Sequence, residues 1–150
     1  MKRSSRLSLA LHALVHLHKQ PDEAITSATL AQCLMTNPVV VRRVLGELRE
    51  AGIVTASKGH EGGWRLLCPA GEISLRQVYA AMGESLLIRT ESDPGDIECG
   101  IVRTVNSVMG DFLADAEALL AARLERVSIA DIARQASPNP LHPHGAINHG

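Results

Sequence analysis

The segment from Asn37 to Leu67 restricts the possible folds more than any other part of this sequence. Apolar residues spaced i, i+3, i+4 and i+7 predict a helix over 38–51 with one buried face. Those apolar residues are Val41, Val44, Leu45 and Leu48. Asn37 is a favourable N-cap, Pro38 suits the first helical position, and Gly52 suits the left-handed position after a helix end. Two short apolar segments then flank a glycine-rich tip, which predicts a two-stranded hairpin.

Helical periodicity recurs on both sides of this segment. It predicts helices over 5–19 and 27–34 before it, and over 74–82, 100–126 and 129–133 after it. Hydrophobic residues make up 45 % of the chain but aromatic residues only 2 %, so the core must consist mainly of Leu, Val, Ile and Ala, which favours helices over a β-sandwich. The predicted fold class is mainly α with a small β-hairpin: a winged helix-turn-helix domain plus a long dimerisation helix.

This pattern divides the chain into four predicted parts. Residues 1–82 form the winged helix-turn-helix DNA-binding domain, and 83–99 form an acidic linker loop. Residues 100–135 hold the dimerisation helix and a short terminal helix. Residues 136–150, rich in Pro, His, Asn and Gly, form a disordered tail.

Charge is distributed unevenly along the chain. The overall net charge is −1, but residues 1–67 carry a net +4 and residues 68–150 a net −5. A basic part of a chain indicates nucleic acid as its partner, with chance as the plain alternative. The charge distribution is therefore compatible with a nucleic-acid-binding surface on the predicted winged domain and does not by itself distinguish it from chance.

The exposed face of the helix over 38–51 is the predicted base-contacting surface. Arg42 or Arg43 could bond guanine in a bidentate way, Val39 or Val40 could contact thymine methyl groups, and Lys58 at the hairpin tip could reach phosphates. The alternative for Arg42 and Arg43 is a solvated helix face, and the alternative for Gly62-Gly63 is an ordinary hairpin turn. The predicted DNA-binding residues are Pro38, Val39, Val40, Arg42, Arg43, Arg49, Lys58, Gly59, His60, Gly62 and Gly63.

Residues 41–54, running into 57–66, resemble the core of the Rrf2 family of bacterial transcriptional regulators. The resemblance extends from about Arg6 to Ala133, and is looser after the hairpin. It implies a homodimer that binds a pseudo-palindromic operator, usually as a repressor. Where the family's hairpin has a Pro and a Tyr, this chain has His60-Glu61 and Trp64.

The cysteines bear on the signal that such a regulator would sense. Cys33, Cys68 and Cys99 are an odd number without a CxxC pair, which argues against a zinc site or a disulfide framework. Several family members hold an iron–sulfur cluster on three closely spaced cysteines before the long helix. This chain has only Cys99 there, so it resembles the single-cysteine branch, and we expect no cofactor. Cys99 is predicted to sense oxidants or electrophiles, with an inert small residue as the alternative.

The long helix over 100–126 carries an apolar stripe that has little left to pack against within the chain. Its predicted dimerisation residues are Ile101, Val105, Val108, Phe112 and Leu119. Intramolecular burial is the alternative, but pairing with a second copy also supplies the twofold symmetry of a palindromic operator.

Other classes of function have little support in the sequence. It contains no P-loop, GxSxG, HExxH or dinucleotide fingerprint, so we predict no enzyme. His12 and His16 have a metal-compatible spacing, but we predict no metal site. No segment approaches a membrane span, which predicts a cytoplasmic protein. Two alternatives stay open: an iron–sulfur or metal-dependent sensor regulator, and a winged-helix protein-interaction module that does not bind DNA.

Overall fold

A computed structural model describes residues 5–60, 62–84 and 100–136. Its helices are α1 (Ser5–Lys19), α2 (Ser27–Cys33), α3 (Pro38–Glu50), α4 (Leu75–Ala81), α5 (Gly100–Glu125) and α6 (Ile129–Gln135). Its strands are β1 (Val54–Ser57) and β2 (Gly63–Leu66), and a 3₁₀ turn spans Ala70–Glu72. The predicted fold class is confirmed: the chain is mainly helical with one antiparallel hairpin. Nearly all of the predicted linker and the tail lie outside the described residues.

Local chemistry explains where α3 begins and ends. The side-chain oxygen of Asn37 accepts a hydrogen bond from the Val39 amide at 2.8 Å, and Pro38 fills the first position, which needs no donor. At the other end the amide of Ile53 donates to the Leu48 carbonyl at 3.0 Å. Gly52 has φ +76°, so the helix closes in a Schellman motif. The predicted N-cap and the predicted glycine after the helix are both confirmed.

The turn between α2 and α3 closes in the same way, but without glycine. The Thr36 amide donates to the Ala31 carbonyl at 2.9 Å, and the Met35 amide donates to the Gln32 carbonyl at 3.3 Å. Met35 has φ +53° and so occupies the left-handed position that glycine usually fills. This conformation costs a residue with a Cβ about 1–2 kcal/mol. The side chain is 93 % exposed, so packing within the chain does not offset that cost.

The hairpin is extended by one residue from a distant part of the chain. β1 and β2 pair in antiparallel register, with Thr55 opposite Arg65. Ile25 pairs with Trp64 of β2 in an isolated antiparallel β-bridge. Its amide donates to the Trp64 carbonyl at 3.0 Å, and its carbonyl accepts from the Trp64 amide at 2.8 Å. The Trp64 indole also donates to the Ser27 hydroxyl at 2.9 Å. These bonds fix the hairpin to the segment that leads into α2.

The core lies between α1, α2, α3, α4, the hairpin and α6. Its fully buried large side chains are Leu14, Leu17, Leu30, Val41, Val44, Leu45, Leu48, Val54, Ile73, Val78 and Ile129. We call this assembly the core domain. All four residues of the predicted α3 stripe are buried in it.

Helix α6 belongs to the core domain, which corrects its predicted grouping with the dimerisation helix over 100–135. Ile129 is fully buried, and its amide donates to the Ile73 carbonyl at 2.9 Å. Ser74 and Ser128 each form a capping box, and the two residues also pair with each other. A seven-residue helix gains its stability from packing, which explains why α6 returns to the core.

Helix α5 differs from the others because none of its residues is buried. It joins the core domain at its C-terminal end, where the Leu75 amide donates to the Val127 carbonyl at 2.8 Å and Arg76 pairs with Glu125 at 3.1 Å. Within the described part of the chain, no helix combines the length and the apolar character that crossing a membrane requires.

The close approach of Gly63 to Ile25 gives a first prediction. A Cβ at Gly63 would lie 2.7 Å from the Ile25 backbone carbonyl, and φ is +155°. We therefore expect Gly63→Ala to lower the free energy of unfolding by about 3 kcal/mol, since it adds overpacking to a disfavoured conformation. Urea denaturation followed by circular dichroism measures the change.

Gly71→Ala is the matched control for Gly63→Ala. A Cβ at Gly71 would meet no atom within 4 Å, so we expect a change within about 0.5 kcal/mol. Equal stabilities for the two variants would contradict the predicted packing of Gly63 against Ile25.

Candidate nucleic-acid interface

Helix α3 presents one buried face and one exposed face. The buried stripe fixes α3 on the core domain, and Pro38 is half-buried at its first position. Val39 is 57 % exposed, and Val40, Arg42 and Arg43 are exposed as well. Residues three and four apart share a helix face, so Val39 lies beside both arginines. The structure therefore brings the predicted residues of α3 together on a single open surface.

Two cationic side chains connect α3 to neighbouring elements. Arg6 of α1 forms an ion pair with Glu47 of α3. Near the end of α3, the Arg49 guanidinium lies over the Trp64 ring, 5.9 Å from its centroid, which is a cation–π distance. Arg49 was predicted as a DNA-binding residue, and the structure places its charge against the hairpin. These contacts hold the exposed face of α3 in a fixed position relative to α1 and the hairpin.

The hairpin follows α3 directly and carries the predicted wing residues. Lys58, Gly59 and His60 are exposed at its tip. Gly62 and Gly63 are half-buried, and the Gly62 amide donates to the Gly59 carbonyl at 3.0 Å. A Cβ at Gly62 would lie 2.5 Å from the Ser57 carbonyl oxygen, so this glycine permits the tight turn. Lys58 is the described tip residue that carries a positive charge toward solvent.

A groove lies between the N-terminal part of α1 and the turn before α3. Its volume is about 360 Å³, and it is lined by Arg6 and His12 of α1 together with Met35 of the turn and Val40 of α3. Met35 is absent from the residues predicted to bind DNA. A break at Thr36-Asn37-Pro38 locates the turn, but it does not indicate which residue takes the left-handed conformation.

The predicted dimerisation residues share an exposed face of α5. Ile101, Val105, Val108, Phe112 and Leu119 are between 53 % and 75 % exposed. Since each helical residue advances about 100°, all five fall within an arc of about 60°. In a single chain this apolar stripe faces solvent along most of the helix.

The two described cysteines lie on separate elements. Cys33 is exposed at the end of α2, and Cys68 is half-buried after β2. Burial, and then the nearby Glu72 carboxylate, raise the pKa of the Cys68 thiol, which keeps it protonated and weakly nucleophilic at neutral pH. The predicted sensor Cys99 lies outside the described residues.

Histidine and acidic side chains do not complete a metal site in the described part of the chain. No group of three His, Cys, Asp or Glu side chains there could hold an ion. His16 is half-buried, and burial, then Lys19 and His12, lower its pKa. Its folded-state pKa lies below the unfolded value, so protonation at acid pH lowers stability, and the stability that depends on neutral His16 is present at higher pH.

Comparison with known proteins gives this arrangement a family. The sequence profile of Rrf2, described as an iron-dependent transcriptional regulator, matches residues 3–135. YwnA of Bacillus subtilis, which bears the name of an HTH-type transcriptional regulator, is 28 % identical over 129 residues, covering 86 % of this chain and 95 % of YwnA. The iron in the family's description has no ligand set among the residues that the structure describes.

Solved structures share the fold over nearly their whole length. CymR, the global cysteine regulator of B. subtilis, superposes with a TM-score of 0.67 at 16 % identity, covering 91 % of this chain and 99 % of CymR. IscR of T. potens superposes with a TM-score of 0.64 at 18 % identity, covering 91 % of this chain and 89 % of IscR. These likenesses establish the winged-helix fold, and the relatives by name are regulators rather than enzymes. The chain therefore belongs to the Rrf2 family of transcriptional regulators.

Proposed function

We propose that the protein is a homodimeric, sequence-specific DNA-binding repressor that acts on a pseudo-palindromic operator in the cytoplasm. One observation carries this proposal: the exposed face of α3 presents Arg42 and Arg43, while the opposite face is fully buried in the core domain. A rigidly supported helix with a free cationic face is what entry into the major groove requires, because that groove is about 12 Å wide and admits one helix.

The surroundings of α3 support contact with a duplex. Lys58 extends from the hairpin tip, where it can neutralise a phosphate beside the groove that α3 enters. Residues 1–67, which hold α3 and the hairpin, carry the positive half of the chain's charge.

The apolar stripe of α5 supports the homodimer. Five large, exposed apolar side chains along one helix face are an unusual surface for a monomer. The same stripe of a second copy can cover them. A twofold axis through this contact places two α3 helices in related orientations. Such a dimer matches an operator with two half-sites.

Selection from random duplexes tests DNA recognition. Purified reduced protein should enrich a twofold-symmetric motif, and its affinity for that motif should fall steeply with salt, since each neutralised phosphate contributes a slope of about −0.9 in log K against log [salt]. A winged helix that binds proteins instead would enrich no motif and would show only weak binding to any duplex. That second result would refute the proposed function.

The repressor role comes from the family resemblance and has its own test. Transcription in vitro from a promoter that contains the selected motif should decrease when the protein is added. The same promoter with a scrambled motif is the control. An increase in transcription would make the protein an activator.

Cys99 is the proposed sensor, since it immediately precedes the first residue of α5. Hydrogen peroxide would oxidise its thiolate to a sulfenic acid, with one oxygen transferred to sulfur and peroxide reduced to water. We expect peroxide to release wild-type protein from the operator and Cys99→Ser to stay bound, as a mobility-shift assay measures. Cys33→Ser and Cys68→Ser are matched controls that should respond like wild type. Full release of Cys99→Ser by peroxide would eliminate this role.

DNA binding is proposed to need no iron–sulfur cluster. A cluster requires about four ligands, mostly thiolates, and the two described cysteines lie on different elements. Protein treated with an iron chelator should therefore bind the operator with unchanged affinity, and anaerobic reconstitution with iron and sulfide should produce no cluster absorbance. Affinity that returns only after reconstitution would support the metal-dependent alternative.

A further inference from the structure

We propose that Met35, Val39 and Val40 form an apolar contact surface that recognises thymine C5-methyl groups in the operator. We call these three residues the methyl-contact surface. The proposal rests on the proposed DNA-binding function and extends it. It names the thymine methyl group as the base feature that the N-terminal end of α3 recognises, and it adds Met35, a residue of the turn, to the base-contacting residues.

The composition of the exposed residues before the arginines supports this assignment. Between Leu34 and Val41, the exposed residues are Met35, Asn37, Val39 and Val40. The Asn37 side-chain oxygen already accepts the Val39 amide as the helix cap. Three of the four exposed side chains at the leading end of α3 are therefore apolar, and they cannot distinguish bases by hydrogen bonds.

Met35 is the least expected member of this surface. Its backbone occupies the left-handed position of a Schellman motif, where glycine is favoured, and its side chain is 93 % exposed. Neither the turn nor the core domain needs a large apolar side chain at this position. A disfavoured conformation kept by a residue that does not contribute to packing indicates a role in contact with another molecule.

The three side chains lie close to the cationic residues. Met35 and Val40 line the same groove as the cationic Arg6 of α1. Val39 shares its helix face with Arg42 and Arg43. In the major groove the thymine methyl group is the apolar feature among hydrogen-bonding base edges, and phosphates flank it. An apolar surface bordered by arginines is complementary to that combination, whereas a purely apolar protein groove would leave both charges unpaired.

Replacing thymine by uracil in the selected duplex tests the proposal, because it removes the methyl group and keeps base pairing. The affinity of wild-type protein should fall about fourfold for each contacted methyl group, the value expected for one buried methylene-sized group. The loss should occur at discrete positions of each half-site. Uracil at the remaining thymines should leave the dissociation constant unchanged.

A protein–DNA cycle identifies the residues involved. Met35→Gly is compatible with the left-handed turn, so the variant should fold at least as stably as wild type. It should bind the thymine duplex more weakly than wild type does, but the substitution of uracil at the contacted position should then cost it nothing further. Val39→Ala and Val40→Ala should each bind the thymine duplex more weakly than wild type does, and uracil at the position that the replaced side chain contacts should then cost nothing further. Lys58→Ala should weaken binding to the thymine and uracil duplexes by an equal factor.

The possible outcomes separate this inference from the proposed function. A selected motif whose affinity does not change with uracil at any position overturns the methyl-contact surface and leaves the proposed function intact. Uracil effects that persist undiminished in Met35→Gly, Val39→Ala and Val40→Ala also overturn it. If no motif is selected, the proposed function fails, and this inference fails with it.

Discussion

The Arg42→Ala/Arg43→Ala variant is expected to lose affinity for the operator by at least about 30-fold. A bidentate arginine–guanine contact is worth about 1–3 kcal/mol, and the proposed dimer would lose it in both half-sites. Both arginines are exposed on a helix that the opposite face holds in place, so the variant should keep its unfolding free energy within about 0.5 kcal/mol. Fluorescence anisotropy with the selected duplex measures the affinity at several salt concentrations.

The salt dependence of the affinity shows whether the two arginines contact phosphates or bases. If one of the two binds a phosphate, the slope of log K against log [salt] should decrease by about 1 for each lost contact. Loss of discrimination between operator and scrambled duplex, without a change in slope, indicates base contact instead.

Arg103→Ala is the matched control for the arginine variant. It removes one positive charge per protomer, where the arginine variant removes two, from an exposed position on α5, away from the core domain. Arg103 also lies opposite the apolar stripe when each residue advances about 100°. Its affinity for the operator should equal that of wild type. Wild-type affinity in the Arg42→Ala/Arg43→Ala variant would show that α3 is not the base-contacting helix.

The Val105→Asp/Phe112→Asp variant is expected to be monomeric and to lose about 10²–10⁴-fold in affinity for the full operator. Two carboxylates in the middle of the apolar stripe would have to be buried against a second copy, which is strongly unfavourable. Since neither residue is buried within the chain, the core domain should keep its fold. The affinity decreases because two linked domains bind far more tightly than two separate ones. Sedimentation velocity measures the mass, and anisotropy measures the affinity.

Half-site duplexes and a control substitution complete this experiment. Affinity for a single half-site should be similar for the variant and for wild type, because α3 and the hairpin are unchanged. Ser107→Asp adds a charge to an exposed position away from the stripe and should leave the protein dimeric. A variant that stays dimeric with both aspartates present would place the dimer contact elsewhere.

Much of the fold could be predicted because its signals are local. The cap of α3 at Asn37, the glycine after it and the Ser74–Gln77 capping box all depend on residues within a few positions of each other. The burial of one α3 face, and hence the exposure of Arg42 and Arg43, follows from helical spacing alone. The candidate interface was therefore visible in outline from the sequence.

Features that depend on distant residues could not be predicted. Ile25 pairs with Trp64 through a single residue pair, which gives no periodic pattern. Arg49 lies over Trp64, and this proximity arises only when the hairpin folds back along α3. The left-handed conformation of Met35 is set by the hydrogen bonds of the turn and contradicts the usual residue preference. Helix α6 packs against α1 and buries Ile129 in the core. The short sequence of α6 does not indicate this packing.

The attachment of α5 makes this helix a lever arm. Its 26 residues span about 39 Å at 1.5 Å per residue. Hydrogen bonds and the Arg76–Glu125 ion pair fix one end on the core domain, while the other end begins next to Cys99. A tilt of about 10° at the fixed joint displaces the far end by about 7 Å, about two base-pair steps along a duplex. In the proposed dimer, small changes of angle where α4 meets α5 would therefore become large changes in the distance between the two DNA-binding surfaces.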